Sequence, residues 1–332
     1  MLQKQPCWID RPITAEYEGQ VGVAQSRNNL GRVGTHGSRL KALAAAAKAL
    51  RYDGVLPELQ AGQNSTNIGL HKITFTDFID SEGLSYSLAS WMGQPSNAKQ
   101  CAPNHCDISS CKPSWLCQSP SGEYASVLGV SHYTALPSDR YQRAIDNGLI
   151  QARLIYGSSV TSSVDILSSS SERISQQVIS TSSNVEYLRN GYLNHYAVKE
   201  SCFAGGALLQ QILLYDIPSK YLAAKSIDWV KNPKLNGVDG AVGTVEKLSA
   251  SGLLSTQLNL AVDRALVQLA QEINVEVDTQ IMYRRSKDGM LILHLTSEKS
   301  QALLKAQVLA FHFELLKNQQ FRIYAWVMRV AD

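Results

Sequence analysis

The amino-acid sequence predicts an α+β fold of three tandem domains, each with one long helix packed on a mainly antiparallel sheet. One observation behind this prediction is a repeated pair, a Trp followed fourteen residues later by a Gly in an apolar stretch. The other is the order after each Gly, where helical periodicity is followed by strand-like alternation. The pairs are Trp8 with Gly22, Trp115 with Gly129, and Trp229 with Gly243.

The spacing of the three Trp residues sets the predicted domain boundaries. They lie 107 and 114 residues apart, which is a common domain size. We therefore predict a first unit over 1–94, a second over 113–227 and a third over 228–332. Residues 95–112 are rich in Pro, Asn, Ser and Cys, and we interpret them as a Cys-rich linker between the first two units.

The first unit has a clear helix and a clear hairpin. Apolar residues recur at helical spacing over 38–51, and Ser38 is a suitable N-cap. Two strand-like segments, 72–79 and 84–92, follow on either side of 80–83, whose residues are those of a hairpin turn. This pair of strands should therefore be antiparallel.

The second unit repeats that order at greater length. A strand around Gly129 precedes a predicted helix over 138–156. Residues 158–183 are rich in Ser and Thr, but Val and Ile interrupt them throughout. We therefore interpret this stretch as exposed strands or a surface insertion, in place of a disordered linker.

The third unit shows the pattern most clearly. An apolar stripe predicts a helix from about Ser255, and strict alternation over 273–283 predicts a half-buried strand. Residues 290–296 are its expected hairpin partner, and 308–316 with 321–330 form the closing pair of strands.

Two further Trp residues correspond between the first and third units. Tyr86 precedes Trp91 by five residues, and Phe321 precedes Trp326 by the same interval. The simplest role for a repeated Trp is to cover one end of a helix and its sheet, and the repeated Gly would allow close approach there. The alternative is an exposed Trp that reaches into a neighbouring subunit.

The six cysteines predict disulfides in an oxidising compartment. An even number suits full pairing, although six cysteines allow fifteen connectivities. Zinc binding with His105 and free thiols are the alternatives, but the gaps of four, four and five residues do not match usual zinc spacings. The predicted disulfide residues are Cys7, Cys101, Cys106, Cys111, Cys117 and Cys202.

Composition argues against nucleic-acid and membrane-spanning proteins. The net charge is +3 and no run of Lys and Arg forms a basic patch, so no nucleic-acid partner is expected. No apolar stretch reaches the roughly 18 residues that a transmembrane helix needs. The start, Met1 to Lys4, lacks the apolar core of a signal peptide, so the chain is either cytosolic or a processed mature form.

The common catalytic motifs are missing from the sequence. There is no His-Glu-x-x-His, Gly-x-Ser-x-Gly or phosphate-loop pattern, and Gly237, Gly240 and Gly243 have the wrong spacing for nucleotide binding. The stretch from Ser201 to Gly206 is better interpreted as a turn than as a nucleophile with an oxyanion loop. The seven His residues are scattered singly. We therefore predict no catalytic, cofactor-binding or metal-binding residues and no enzymatic activity.

The repeated order resembles the LPP20 lipoprotein family, here in three copies. The resemblance depends on a Trp four or five residues before Pro12, Pro120 and Pro233, the Gly-centred strand, the helix ending at 265–273 and the closing aromatic strand. It covers most of units one and three and both ends of unit two. The chain departs from the family in its three copies and in lacking a lipobox, because Cys7 stands beside the first Trp.

The resemblance implies a non-enzymatic structural protein that is periplasmic or associated with the outer membrane. Such proteins are similar to flagellar and envelope accessory proteins of Gram-negative bacteria, including rings and disks around the flagellar motor. The expected partners are further copies of the chain and other envelope or flagellar proteins, with peripheral outer-membrane association. The alternatives are a periplasmic module that binds peptidoglycan or a small ligand in an inter-domain cleft, and a zinc or thiol enzyme that uses Cys101 to Cys117.

Overall fold

The structure is a computed structural model, and it describes most of the 332 residues. The described ranges are 4–27, 33–117, 123–132, 136–170, 174–187, 193–219, 227–235, 237–246, 253–273, 276–286, 289–317 and 321–330.

Within these residues, three α-helices and five short 3-10 helices stand among sixteen strands. The α-helices are α1 His36–Ala49, α2 Arg140–Ala152 and α3 Leu254–Ile273. The strands are β1 Gln5–Pro6, β2 Glu18–Gln25, β3 Ser65–Ile68, β4 His71–Ile79, β5 Leu84–Met92, β6 Gln100–Cys101, β7 Tyr124–Ser131, β8 Ser158–Ser170, β9 Ile174–Tyr187, β10 Tyr196–Ala204, β11 Ala207–Pro218, β12 Gly240–Val245, β13 Glu276–Ser286, β14 Gly289–Leu304, β15 Ala306–Leu315 and β16 Phe321–Arg329.

The described strands form five antiparallel sheets. Three of them lie against one helix each, in the orders β2-β5-β4-β3, β7-β11-β10 and β12-β16-β15. The fourth is a small pair, β1-β6. The fifth has the order β13-β14-β8-β9, and we call it the shared sheet because its hairpins come from the predicted second and third units.

The predicted fold class, three tandem domains of one long helix on a sheet, is wrong. The chain is mostly β, and its three helices lie among five small sheets. Long-range strand pairing explains the error, since β8 of the predicted second unit pairs with β14 of the third along thirteen residues. The largest hydrophobic core also takes residues from both units, including Val130 and Leu209 beside Leu266 and Phe313.

Local predictions were more accurate than the domain architecture. Strands β4 and β5 form the predicted hairpin, and the carboxylate of Asp80 accepts hydrogen bonds from the backbone N–H groups of Glu82 and Leu84 in its turn. The first helix begins two residues before Ser38, so Ser38 is not the N-cap. Its hydroxyl instead donates to the carbonyl of Thr35 and hydrogen-bonds with Ser87.

The Ser-rich stretch of the second unit forms strands β8 and β9, one of the two predicted outcomes. The sequence also predicts a closing strand of the second unit at 221–227, but these residues lie outside the described ranges except for Ile227, which begins a 3-10 helix.

Candidate functional site

The three repeated glycines occupy equivalent positions in the fold. Each lies on a strand directly beneath a helix, Gly22 under α1, Gly129 under α2 and Gly243 under α3. A Cβ at any of them would lie within 3.0 Å of helix backbone, at Ser38 and Ala42, Ala144, or Ala261 and Ala265 respectively. The glycines thus set the closest approach of helix and sheet.

The tryptophans of the first segment are structural. Trp8 is fully buried, and its indole Nε1 donates to Asn97 Oδ1 at 3.0 Å. Trp91 is half-buried and donates to Glu18 Oε2 at 3.0 Å. Each indole N–H therefore has a partner, as a buried Trp requires.

The remaining tryptophans use two different arrangements. Trp229 and Trp326 are both buried and stack face to face at 5.4 Å, and Trp326 Nε1 donates to the carbonyl of Pro233. Trp115 is only half-buried and donates to Glu200 Oε2 at 2.9 Å. The repeated Trp positions therefore share a place in the sequence but not a common set of contacts.

All six cysteines form disulfides, in the pairs Cys7–Cys101, Cys106–Cys202 and Cys111–Cys117. The zinc alternative is therefore excluded for the four central cysteines, which are all oxidised. Three disulfides are typical of a secreted or otherwise extracytoplasmic protein. The first two bonds join distant segments, whereas the third closes a loop of only six residues.

The outer edge of β10 is covered by residues from the start of the chain and from the Cys-rich linker. The side-chain amide of Gln20 donates to the carbonyl of Val198 at 3.0 Å and accepts from its N–H at 2.9 Å. Further along, Ser201 N donates to the carbonyl of Asp10, and Phe203 N donates to that of Asn104. Backbone groups that would otherwise be unpaired at a sheet edge are thus satisfied within the chain.

The carboxylates of Glu200 and Asp10 also link the start of the chain and the Cys-rich linker to β10. Glu200 accepts hydrogen bonds from Arg11, Asn104 and Trp115. Asp10 is 4% exposed, and its Oδ2 accepts from Gln5 and from Asn104 N, while its Oδ1 has no hydrogen-bond partner. Burial raises the pKa of Asp10 to about 6, although these hydrogen bonds act to lower it.

His195 links the first predicted unit to the second, since it lies between Asp53 and Asp216. Its Nδ1 lies 2.7 Å from Asp216 Oδ1, and its Nε2 lies 3.2 Å from Asp53 Oδ1. Partial burial acts to lower the pKa of His195, but the hydrogen bonds and charges of Asp216 and Asp53 outweigh it, so the pKa is raised. Both ring nitrogens can donate to these carboxylates only when the imidazole is protonated.

The shared sheet extends well beyond the core of the protein. Its four strands are aligned, since Glu276 pairs with Lys299, Lys299 with Ser163, and Ser163 with Ser182. One end is anchored in the core, where Val160 is fully buried. Beyond Ser163 the sheet continues for seven residues, or about 24 Å at 3.4 Å per residue.

The two outer strands of the shared sheet are β9 and β13. In the part of the chain that the structure describes, neither makes backbone hydrogen bonds on its outward side. Near the anchored end, the side chains of 181–184 in β9 and of Val277 in β13 are exposed. Strand β9 contains no Pro, Lys or Arg, the residues that commonly protect an exposed edge.

A cleft of about 410 Å³ lies between the β4-β5 hairpin, the Cys-rich segment and the start of α2. Aromatic rings from both sides line it, together with charged groups of both signs. Burial, and then the charge of Asp80, raises the pKa of Tyr86 in this cleft.

None of the described helices combines the length and apolar character needed to span a membrane. Nor do three His, Cys, Asp or Glu side chains come together as a metal-binding group within the described ranges. Comparison of the chain with family models, with curated proteins and with solved structures gives no match. The resemblance to the LPP20 family therefore remains a prediction.

The residues that join the first and second predicted units were not identified from the sequence. Gln20, Asp10 and Glu200 are polar residues with no distinctive neighbours in the sequence, so nothing in one sequence marks them as buried. The outer strand β9 of the shared sheet had a partial signal, because the Ser- and Thr-rich stretch with interspersed Val and Ile was interpreted as exposed strands.

Proposed function

We propose that this protein is a non-enzymatic assembly protein whose copies join through the shared sheet. The observation that carries the proposal is that, among the described residues, no strand covers the outer edge of β9 or that of β13 in the shared sheet. An exposed strand edge is a template for pairing with another chain.

The strand directions favour head-to-tail joining. Every neighbouring pair in the shared sheet is antiparallel, so β9 and β13 run in opposite directions. If β13 of one copy lies beside β9 of the next, the sheet continues with the same antiparallel pairing. Because this contact uses two different surfaces, repeated copies would form a ring or an open filament.

The compartment we propose is the bacterial periplasm or the periplasmic face of the outer membrane. The three disulfides support an oxidising compartment, and the resemblance in the sequence supports an envelope or flagellar assembly. Partners from that envelope, such as ring or disk components, would contact the outer surface of the assembly.

Size-exclusion chromatography with light scattering and negative-stain imaging test this proposal. The expected result is a defined oligomer, seen as a ring or a short filament. A protein that stays monomeric up to high micromolar concentration and captures no envelope protein would contradict it.

A further inference from the structure

The cleft beside the β4-β5 hairpin has the size and lining of a small-molecule site. Its volume of about 410 Å³ lies in the range of about 300–1,000 Å³ that is typical of ligand pockets. It lies where three parts of the chain meet, and such junctions are common places for binding sites.

One wall of the cleft is acidic and aromatic. It comes from the hairpin, which contributes Phe78, Asp80, Glu82 and Tyr86. The ring of Tyr86 lies 6.3 Å from that of Phe78 and meets the ring of Tyr141 edge to face at 6.2 Å. Carboxylates beside aromatic rings form a favourable environment for an organic cation.

The two carboxylates of this wall differ in the hydrogen bonds that they accept within the protein. Both oxygens of Asp80 accept hydrogen bonds, Oδ1 from the turn backbone and Oδ2 from the hydroxyl of Tyr86 at 3.2 Å. Glu82 is exposed and belongs to the turn through its backbone N–H. Its carboxylate can therefore be replaced without loss of the turn hydrogen bond.

Another part of the lining is basic. The guanidinium of Arg140 lies 5.2 Å from the centre of the Phe203 ring and donates a hydrogen bond to the carbonyl of Gly206. Lys4 adds a second positive charge to the lining. A guanidinium has five N–H donors in a planar arrangement that matches a carboxylate, so Arg140 is suited to bind one.

We propose that this cleft binds a zwitterionic ligand of about dipeptide size. The ammonium group of the ligand would lie near Asp80 and Glu82 over the tyrosine rings, and its carboxylate would lie near Arg140. The aromatic rings of the cleft would contact an apolar side chain. The cleft and the shared sheet consist of different residues, so this inference does not depend on the proposed assembly.

Isothermal titration calorimetry with the dipeptide Ala-Phe tests the proposal on the intact protein. The expected result is binding in the micromolar range. N-acetyl-Ala-Phe and Ala-Phe-amide each lack one of the two charges, and each should bind at least about tenfold more weakly, because one charge-assisted hydrogen bond is lost. The proposal would be overturned if Ala-Phe showed no binding at a peptide concentration of about 10 mM, or if all three peptides bound equally well.

Two substitutions locate the binding in the cleft. Glu82→Gln should lower the affinity for Ala-Phe about tenfold and leave the affinity for N-acetyl-Ala-Phe unchanged. Arg140→Gln should also lower the affinity for Ala-Phe about tenfold, but here the affinity for Ala-Phe-amide should be unchanged. The matched controls are Glu58→Gln, an exposed glutamate outside the cleft, and Arg143→Gln, an exposed arginine on the same helix. Unchanged Ala-Phe affinity in both cleft variants would refute the assignment.

Discussion

The side-chain amide of Gln20 takes the place of a neighbouring strand for Val198. It forms two hydrogen bonds with the backbone of Val198, of 3.0 and 2.9 Å, although the two residues are 178 positions apart. Gln20 is 2% exposed, so water cannot replace these bonds. The edge of β10 is closed in this way, whereas the edges of β9 and β13 have no such cover in the described part of the chain.

Replacement of Gln20 tests the importance of that cover. Gln20→Ala leaves the N–H and C=O of Val198 buried without partners, at a cost of about 1–3 kcal/mol for each unsatisfied group. We expect the free energy of unfolding to fall by about 2–6 kcal/mol. Gln25→Ala, in the same strand but exposed, is the control and should change it by less than about 0.5 kcal/mol. Equal effects of the two substitutions would show that the amide does not act as proposed.

The repeated glycines should be intolerant of a side chain. Gly22→Ala, Gly129→Ala and Gly243→Ala each force a Cβ against helix backbone, and such overpacking costs about 1–3 kcal/mol. At Gly34 a Cβ would meet nothing within 4 Å, so Gly34→Ala is the control and should be close to neutral. Chemical denaturation measures all four. A loss at Gly34 as large as at the other three would contradict the close-approach explanation.

Asp10 predicts a specific dependence of stability on pH. Its pKa rises from 3.8 to about 6 on folding, so the folded state binds more protons than the unfolded state between these values. Stability from this group is therefore present below about pH 4 and is lost as the pH rises to about 6, a change of about 3 kcal/mol.

Asp10→Asn removes that titration and keeps the oxygen that accepts from Gln5 and Asn104. We expect the variant to be more stable than the native chain at pH 7 and to differ little from it at pH 4. Urea unfolding at both values measures this difference. A variant that is less stable at pH 7 would mean that the ionised carboxylate is the favoured form in the folded protein.

Two of the disulfides should stabilise the chain more than the third. In the chain-entropy description, a loop of about 100 residues contributes about 4.7 kcal/mol, and short loops contribute much less. Cys7→Ser with Cys101→Ser opens a separation of 94 residues, whereas Cys111→Ser with Cys117→Ser opens one of 6. The first double variant should lose roughly 2 kcal/mol more than the second in thermal or chemical unfolding. The reverse order would contradict this account.

The pairings also show how the Cys-rich linker is held. Cys111 and Cys117, which flank Trp115, pair with each other. Cys106–Cys202 instead fixes the Cys-rich segment to β10. Connectivity could not be deduced, because it depends on which residues the fold brings together.

The sequence was informative where the signal was local. The turn residues 80–83 and the periodicity around Ser255 predicted the β4-β5 hairpin and α3 to within a few residues. The pairing of β8 with β14 joins residues more than 120 positions apart, and neither strand carries a local signal that identifies its partner. That long-range pairing is the reason the three-domain prediction failed.

The candidate surfaces were predictable only in part. The Ser- and Thr-rich composition indicated exposed strands, but it could not show that β9 and β13 would be the outer strands of one sheet. Likewise, the charges that line the cleft come from three separate parts of the sequence. Only the folded chain brings Glu82 and Arg140 to one cleft.

The central claim is that copies join through the edges of the shared sheet, and proline substitutions in β9 test it most directly. Neighbouring residues of a strand point their N–H groups to opposite sides, so one of Ser183→Pro and Asn184→Pro removes an outward donor and leaves the inward pairing intact. Asn67→Pro, on the edge strand β3 of another sheet, is the control.

The measurement is the mass of each protein by light scattering at equal concentration, with circular dichroism to confirm folding. We predict an oligomer for the native chain and for Asn67→Pro, and a monomer for at least one folded variant of β9. An oligomer of unchanged mass in both folded β9 variants, or a native chain that is monomeric, would contradict the account.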